Sequence, residues 1–149
     1  MEVVLDTNVA VSAAINPKGP PAQIIKAWRD QSFTWVNSEP LLTELDRTLR
    51  APRLRRYIAW SDVELNELLA AVRQLARIVS PARTIDGIST DPADNRVREA
   101  AEAGGAEYIV SGDQALLDLG AFEGVQIVTP ARFTAILAEG SSGRFEPSD

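Results

Sequence analysis

Two acids stand at the ends of apolar runs. Asp6 follows Val3-Val4-Leu5, and Asp113 follows shortly after Tyr108-Ile109-Val110. Runs of this kind suit strands buried on both faces. A carboxylate at such a strand end must be solvated, paired or metal-bound, because burying it bare is costly. Two further acids occupy helical positions. Glu44 interrupts a stripe formed by Leu41, Leu45 and Leu49, and Asp94 falls in the first turn of a helix opening at Asp91-Pro92. If these four acids meet at one sheet edge they repel, and either some take up protons or a cation neutralises them. The chain contains no histidine and no cysteine. That excludes disulfides, thiolate nucleophiles, Cys/His zinc sites and histidine acid–base chemistry. An ion here must be held by oxygen ligands, which favours Mg²⁺ or Mn²⁺. Two such cations about 3.5–4 Å apart activate a water and stabilise a leaving oxygen, which is phosphodiester hydrolysis without a protein nucleophile.

Each acid also has an ordinary reading. Asp6 could open a turn, Asp91 and Asp94 could serve a helix start, Asp113 could cap the helix at Gln114, and Glu44 could face solvent. The joint pattern favours a shared cleft. Asn8 and Ser111, each two residues from a strand-end acid, could bond a carboxylate or simply their own turns.

The positioning elements follow from periodicity and punctuation. Residues 2–6 read as a strand, 16–21 ("NPKGPP") as a loop, and the following stretch as a helix with Ile24, Ile25 and Trp28 on one face. A second strand is expected at 32–37 and a helix capped by Ser38 after it. Residues 52–60 form a basic connector. Ser61 and Glu64 have capping-box spacing, opening a long helix that leads into a short third strand near 76–80. A loop, the Asp91-Pro92 helix ending at Gly104-Gly105, a fourth strand, a short helix, a fifth strand at 125–129 and a final helix complete the series. Alternating strands and helices imply an α/β fold, here a three-layer α/β/α domain with a central parallel sheet of about five strands. In such sheets the cleft opens at the carboxyl ends of the strands flanking the switch point, here the strands ending at Asp6 and near Asp113. Residues 1–139 are expected to form one domain, and 140–149 a polar, disordered tail.

Net charge is −6, which alone argues against nucleic acid. The distribution is uneven. Residues 1–83 carry 11 basic against 9 acidic side chains, and residues 84–149 carry 4 against 12. Within 47–56 ("RTLRAPRLRR") stand Arg47, Arg50, Arg53, Arg55 and Arg56 with no acid among them. Arg47, Arg50 and Arg53, with Lys18 in the Gly/Pro loop, are candidates for RNA phosphate contacts; an ordinary basic face, or one that meets an acidic protein, is the alternative. Trp28, Trp35, Trp60 and Tyr57 suit core or interface better than base stacking. No run approaches a membrane span, and no basic region precedes the first apolar run, so a cytoplasmic protein is expected.

The ordered segments "VVLDTNVAVSAA", "SEPLLTEL", "DPADNRVREAAEAGGAEYIVSGDQALL" and "VQIVTPARF" resemble the PIN-domain family over roughly residues 1–138, and look closest to the VapC-type toxins of toxin–antitoxin pairs. The resemblance implies an α/β/α sheet and metal-dependent RNA cleavage. It places the acidic cluster on Asp6, Glu44, Asp94 and Asp113, with Asn8 and Ser111 in support and Asp91 as an extra acid. It further implies a homodimer, a cognate antitoxin, one or two Mg²⁺ or Mn²⁺ ions, single-stranded or structured RNA as substrate, and products with 5′-phosphate and 3′-hydroxyl ends. A haloacid-dehalogenase-type fold would need an acid where Asn8 stands, and a receiver domain suits the distant Glu44 poorly. A non-catalytic RNA- or protein-binding module remains the alternative.

Overall fold

The computed structural model describes residues 1–85 and 92–144, without the side chains of 92–94 and 141–144. β1 (Glu2–Leu5) leads into α1 (Thr7–Ile15) and α2 (Pro20–Arg29), then β2 (Thr34–Asn37), α3 (Glu39–Leu49), α4 (Pro52–Arg55) and α5 (Asp62–Leu75). β3 (Arg77–Ile78), α6 (Pro92–Gly104), β4 (Tyr108–Val110), α7 (Gln114–Leu117), β5 (Ala121–Phe122), β6 (Val125–Val128) and α8 (Pro130–Arg144) follow. The strands form one sheet in the order β3-β2-β1-β4-β6-β5. All neighbours are parallel except β5 and β6. The chain winds outward from β1 to β3, then returns to the other side of β1 with β4, so the switch point lies between β1 and β4.

The helices form where the punctuation places them. Ser38 Oγ accepts from the Leu41 amide at the start of α3. Ser61 and Glu64 exchange both bonds of the capping box at the start of α5. α6 stops at Gly105, whose φ of 60° is the left-handed conformation that glycine adopts at little cost. Gly104 itself is a packing requirement: a Cβ there would stand 2.5 Å from Val36 Cγ1 on β2.

One core cluster, on the α1–α2–α5 side of the sheet, is built from Val3, Leu5, Ile24, Trp35, Leu42, Leu49, Leu68 and Phe133, among others. Trp28 and Trp35 meet edge to face there, with centroids 5.0 Å apart. A second cluster packs Val4, Val36 and Ile109 against Val97, Ala100 and Ala101 of α6. These two clusters are the two covered faces of a three-layer α/β/α sandwich.

Three features differ from the sequence expectation. The sheet has six strands among the described residues, not five. The sixth is β5, a two-residue strand turned onto β6 through Glu123 and Gly124, with φ of 47° and 86°, the positive-φ pair that a tight two-residue hairpin turn needs. Residues 7–15, for which no element was expected, form α1. Its faces carry little polar contrast because the outer face includes Val11 and the 40% exposed Ile15, opposite a buried face on which Val9, Ala10, Ala13 and Ala14 are all at most 1% exposed. α8 continues past Glu139 to Arg144.

Candidate active site

Leu5 of β1 lies in register with Val110 of β4, so the residues that follow these strands meet. The Asp6 amide donates to the Val110 carbonyl at 2.9 Å. Ser111 Oγ donates to Asp6 Oδ2 at 2.7 Å, and Asn8 Nδ2 donates to the same oxygen at 3.2 Å. Asn8 Oδ1 in turn accepts from the Gly112 amide at 3.2 Å, and Ser111 Oγ accepts from the Asp113 amide at 2.9 Å. Asn8 and Ser111 therefore join the loop after β1 to the loop after β4, across more than 100 residues of sequence. Asp113 Oδ1 accepts from the Ala115 amide at 3.0 Å and caps α7. Its expected role as a cap is real, and it coexists with its place at the sheet edge.

Asp6 is only 6% exposed. Burial pushes its carboxyl up from 3.8 to about 6. The Ser111 hydroxyl and the Thr7 backbone oppose that rise, while the charges of Glu44 and Asp113 add to it. The charges of two other singled-out acids, Glu44 and Asp113, thus reach Asp6. Glu44 is half-buried on α3, beside the buried stripe of Leu41, Leu42, Leu45 and Leu49. The fourth, Asp94, lies in the first turn of α6, a helix that packs on β1, β2, β4 and α3; its side chain, like Asp91 as a whole, is outside the described residues.

Residues 2–115 match the PIN domain family. The chain belongs to the PIN domain family. An uncharacterised protein of Methanocaldococcus jannaschii is 30% identical to it over 119 residues, which cover 80% of this chain and 75% of the relative. PIN domains are generally nucleases and typically use divalent metals.

The donor set of this PIN domain fits a hard cation. Its ligand candidates are all oxygens, and Asp6 is a buried carboxyl whose ionisation is opposed by burial and by two neighbouring negative charges. A cation is what would reverse that balance. Among the described residues, no group of three or more acids stands close enough to hold an ion; the Asp94 side chain is outside that set.

The basic candidates separate. Arg50 Nε bonds Asp46 at 2.6 Å and its Nη2 bonds Asn66 at 2.7 Å, tying α3 to α5. Arg55 pairs with Asp62. Arg47 and Arg53 are exposed. Lys18 is exposed in the loop after α1, a nine-residue helix and hence about 14 Å from the Asp6 end. Trp28 and Trp35 are core, as their type suggests, whereas Tyr57 is 51% exposed.

Three buried polar residues of α6, Asn95, Arg98 and Glu99, and the half-buried Arg96 beside them were not foreseen from the sequence. Glu99 accepts from the Ile85 amide at 2.7 Å and pairs with Arg96 at 2.9 Å. Arg98 lies 4.3 Å from the Phe122 ring centroid on β5. The signal available was weak. The apolar stripe of α6 is mostly alanine, so its edges are hard to place. No helix among the described residues is long and apolar enough to cross a membrane.

Proposed function

We propose that this PIN domain is a metal-dependent endoribonuclease and the toxin of a toxin–antitoxin pair. The observation that carries the reading is Asp6. It is a carboxyl buried at the switch point, raised to about 6, and pressed by Glu44 and Asp113. Structural carboxylates are ordinarily paired with cations or fully hydrogen-bonded, whereas crowded acids at a strand end mark a functional site.

Asp6, Glu44, Asp94 and Asp113 would hold one or two Mg²⁺ or Mn²⁺ ions. Bound there, such a cation makes water nucleophilic at neutral pH and offsets charge on the scissile phosphate. The chain's own residues prepare the site. Ser111 and Asn8 fix Asp6 Oδ2, which sets the plane of the carboxylate. The Ala115 amide orients Asp113 in the same way. Hydrolysis would leave 5′-phosphate and 3′-hydroxyl ends. The catalytic unit would be residues 1–139, working in the cytoplasm as a homodimer blocked by a cognate antitoxin.

A non-catalytic RNA- or protein-binding module is the second reading. In it the acids would be kept for structure, as the cap that Asp113 supplies to α7 illustrates. One experiment separates the two. Total RNA is incubated with Mg²⁺ or Mn²⁺ and either wild type or Asp94→Asn, and fragment ends are mapped. The nuclease reading expects cleavage by wild type, lost in the variant and in EDTA. Binding with no cleavage under either metal supports the module.

A further inference from the structure

We infer that Arg77 and Arg83 are positioning residues that set how far α6 lies along the sheet, and so the height of Asp94 beside Asp6. This deepens the ribonuclease reading and rests on it. The face that α6 turns to the sheet is nearly smooth. Val97, Ala100 and Ala101 are buried against Val4, Val36 and Ile109, and Gly104 lies so close to β2 that a Cβ there would stand 2.5 Å from Val36 Cγ1. Helices lock along their axes when side chains form ridges that enter grooves. Alanine and glycine allow close approach but make shallow ridges. The apolar contact therefore presses α6 onto the sheet and leaves its axial position to other groups.

Two arginines supply those groups, both at the end of α6 far from Asp94. Arg77 stands on β3 in register with Val36. Its Nη1 donates to the Gly104 carbonyl at 2.9 Å and to Glu2 Oε1 at 2.9 Å. One nitrogen thus joins the last residue of α6 to the first residue of β1. From Glu2 to Asp6 the extended chain rises about 13 Å. From Gly104 back to Asp94 the helix rises about 15 Å. α6 ends where the chain turns into β4, which is parallel to β1, so α6 runs opposite to β1 and a tie at their shared low end brings the two acids to nearly one level. Arg83 makes the second tie, toward the other edge of the sheet. Its Nε donates to Glu102 Oε1 at 2.8 Å and Oε2 at 3.0 Å, and its Nη2 donates at 2.9 Å to Glu123 in the turn between β5 and β6. A slip of α6 that breaks these bonds moves Asp94 by the same amount, and a misplacement of about 1 Å can cost a reaction about a hundredfold.

Each arginine is about half exposed, so a single tie is weak and the decisive variant is the double one, Arg77→Gln with Arg83→Gln. Two readouts are taken on folded protein. The first is the NMR cross-peak between the Gly104 α-protons and the Val36 methyls, which needs no metal and reports whether α6 has moved on β2. The second is Mn²⁺ affinity, from the electron spin resonance signal of the free ion. In the double variant the cross-peak is expected to weaken and Mn²⁺ to bind at least tenfold more weakly, with kcat on RNA reduced and KM unchanged. Restoring position 77 as Lys is expected to return the affinity to that of Arg83→Gln alone, because one nitrogen makes both bonds there. Restoring position 83 as Lys is expected to fail, since Arg83 uses two nitrogens in a fork. Ser61→Ala, which weakens the fold through the cap of α5, controls for stability and is expected to change neither readout. A double variant with an unaltered cross-peak or wild-type Mn²⁺ affinity overturns the inference, as does an equal loss of affinity in Ser61→Ala. Failure of the ribonuclease reading looks different: wild type then takes up no Mn²⁺ and cuts no RNA, while the cross-peak still reports whether the arginines hold α6.

Discussion

Replacing Asp6 by Asn should stabilise the metal-free protein at neutral pH. A carboxyl at about 6 in the folded chain, against an ordinary 3.8, means that the folded state holds a proton which the unfolded state has released between those two values. Stability then falls as pH rises through that window and stays low above it. At about 1.4 kcal/mol per pKa unit, the ionised Asp6 costs the fold about 3 kcal/mol above pH 7. Asn cannot ionise, yet its side-chain oxygen can still accept from Ser111 Oγ, so the variant escapes the penalty and keeps that bond. The assay is urea unfolding in EDTA, followed by the fluorescence of the buried Trp28 and Trp35, at a series of pH values. The difference between the two proteins is the quantity to plot, because titrations they share cancel. Glu102, which Arg83 pulls down to about 2, is one of these. The difference should be small below pH 4 and grow to about 3 kcal/mol in favour of Asp6→Asn above pH 7. Saturating Mn²⁺ should then raise wild type by about 2.7 kcal/mol at 100 times its dissociation constant and leave the variant nearly unmoved. A difference that is flat with pH, or a variant less stable than wild type at neutral pH, would refute the burial reasoning.

Ser111→Ala removes a buried donor to Asp6. It should push the Asp6 carboxyl still higher, seen in a carbon NMR titration of that group, and cost about 1–3 kcal/mol at neutral pH; an unmoved titration would count against the bond. Gly104→Ala forces a methyl against Val36 Cγ1 at 2.5 Å and should cost about 1–3 kcal/mol in urea midpoint, with loss of cleavage only in proportion to unfolding. Ser61→Ala breaks the capping box of α5 and should lower stability by about 1 kcal/mol without affecting cleavage; a loss of activity in the folded variant would mean α5 has a role beyond support.

The sequence alone was enough for the alternation of strands and helices, because burial on both sheet faces leaves a local trace: short Val/Ile/Leu runs, then helices with period and caps. Ser38, Ser61 and Gly105 act within a few residues of themselves, so their work is legible in a short window. The acids could be nominated from strand ends and helix turns, and the charges of Glu44 and Asp113 do reach Asp6. What tertiary structure decided is whatever depends on distant neighbours. α1 has no strongly polar face to betray its period because Val11 and Ile15 make its outer side apolar as well. β5 exists because Glu123 and Gly124 accept positive φ, without the Asn or Asp that usually announces such a turn. Five similar arginines became two braces and an exposed remainder only when Asp46, Asp62 and Asn66 were brought to them. The charge state of Asp6 is of the same kind: its pKa depends on how much water reaches it and on Ser111, a partner 105 residues away, and neither quantity is written in the residues beside it.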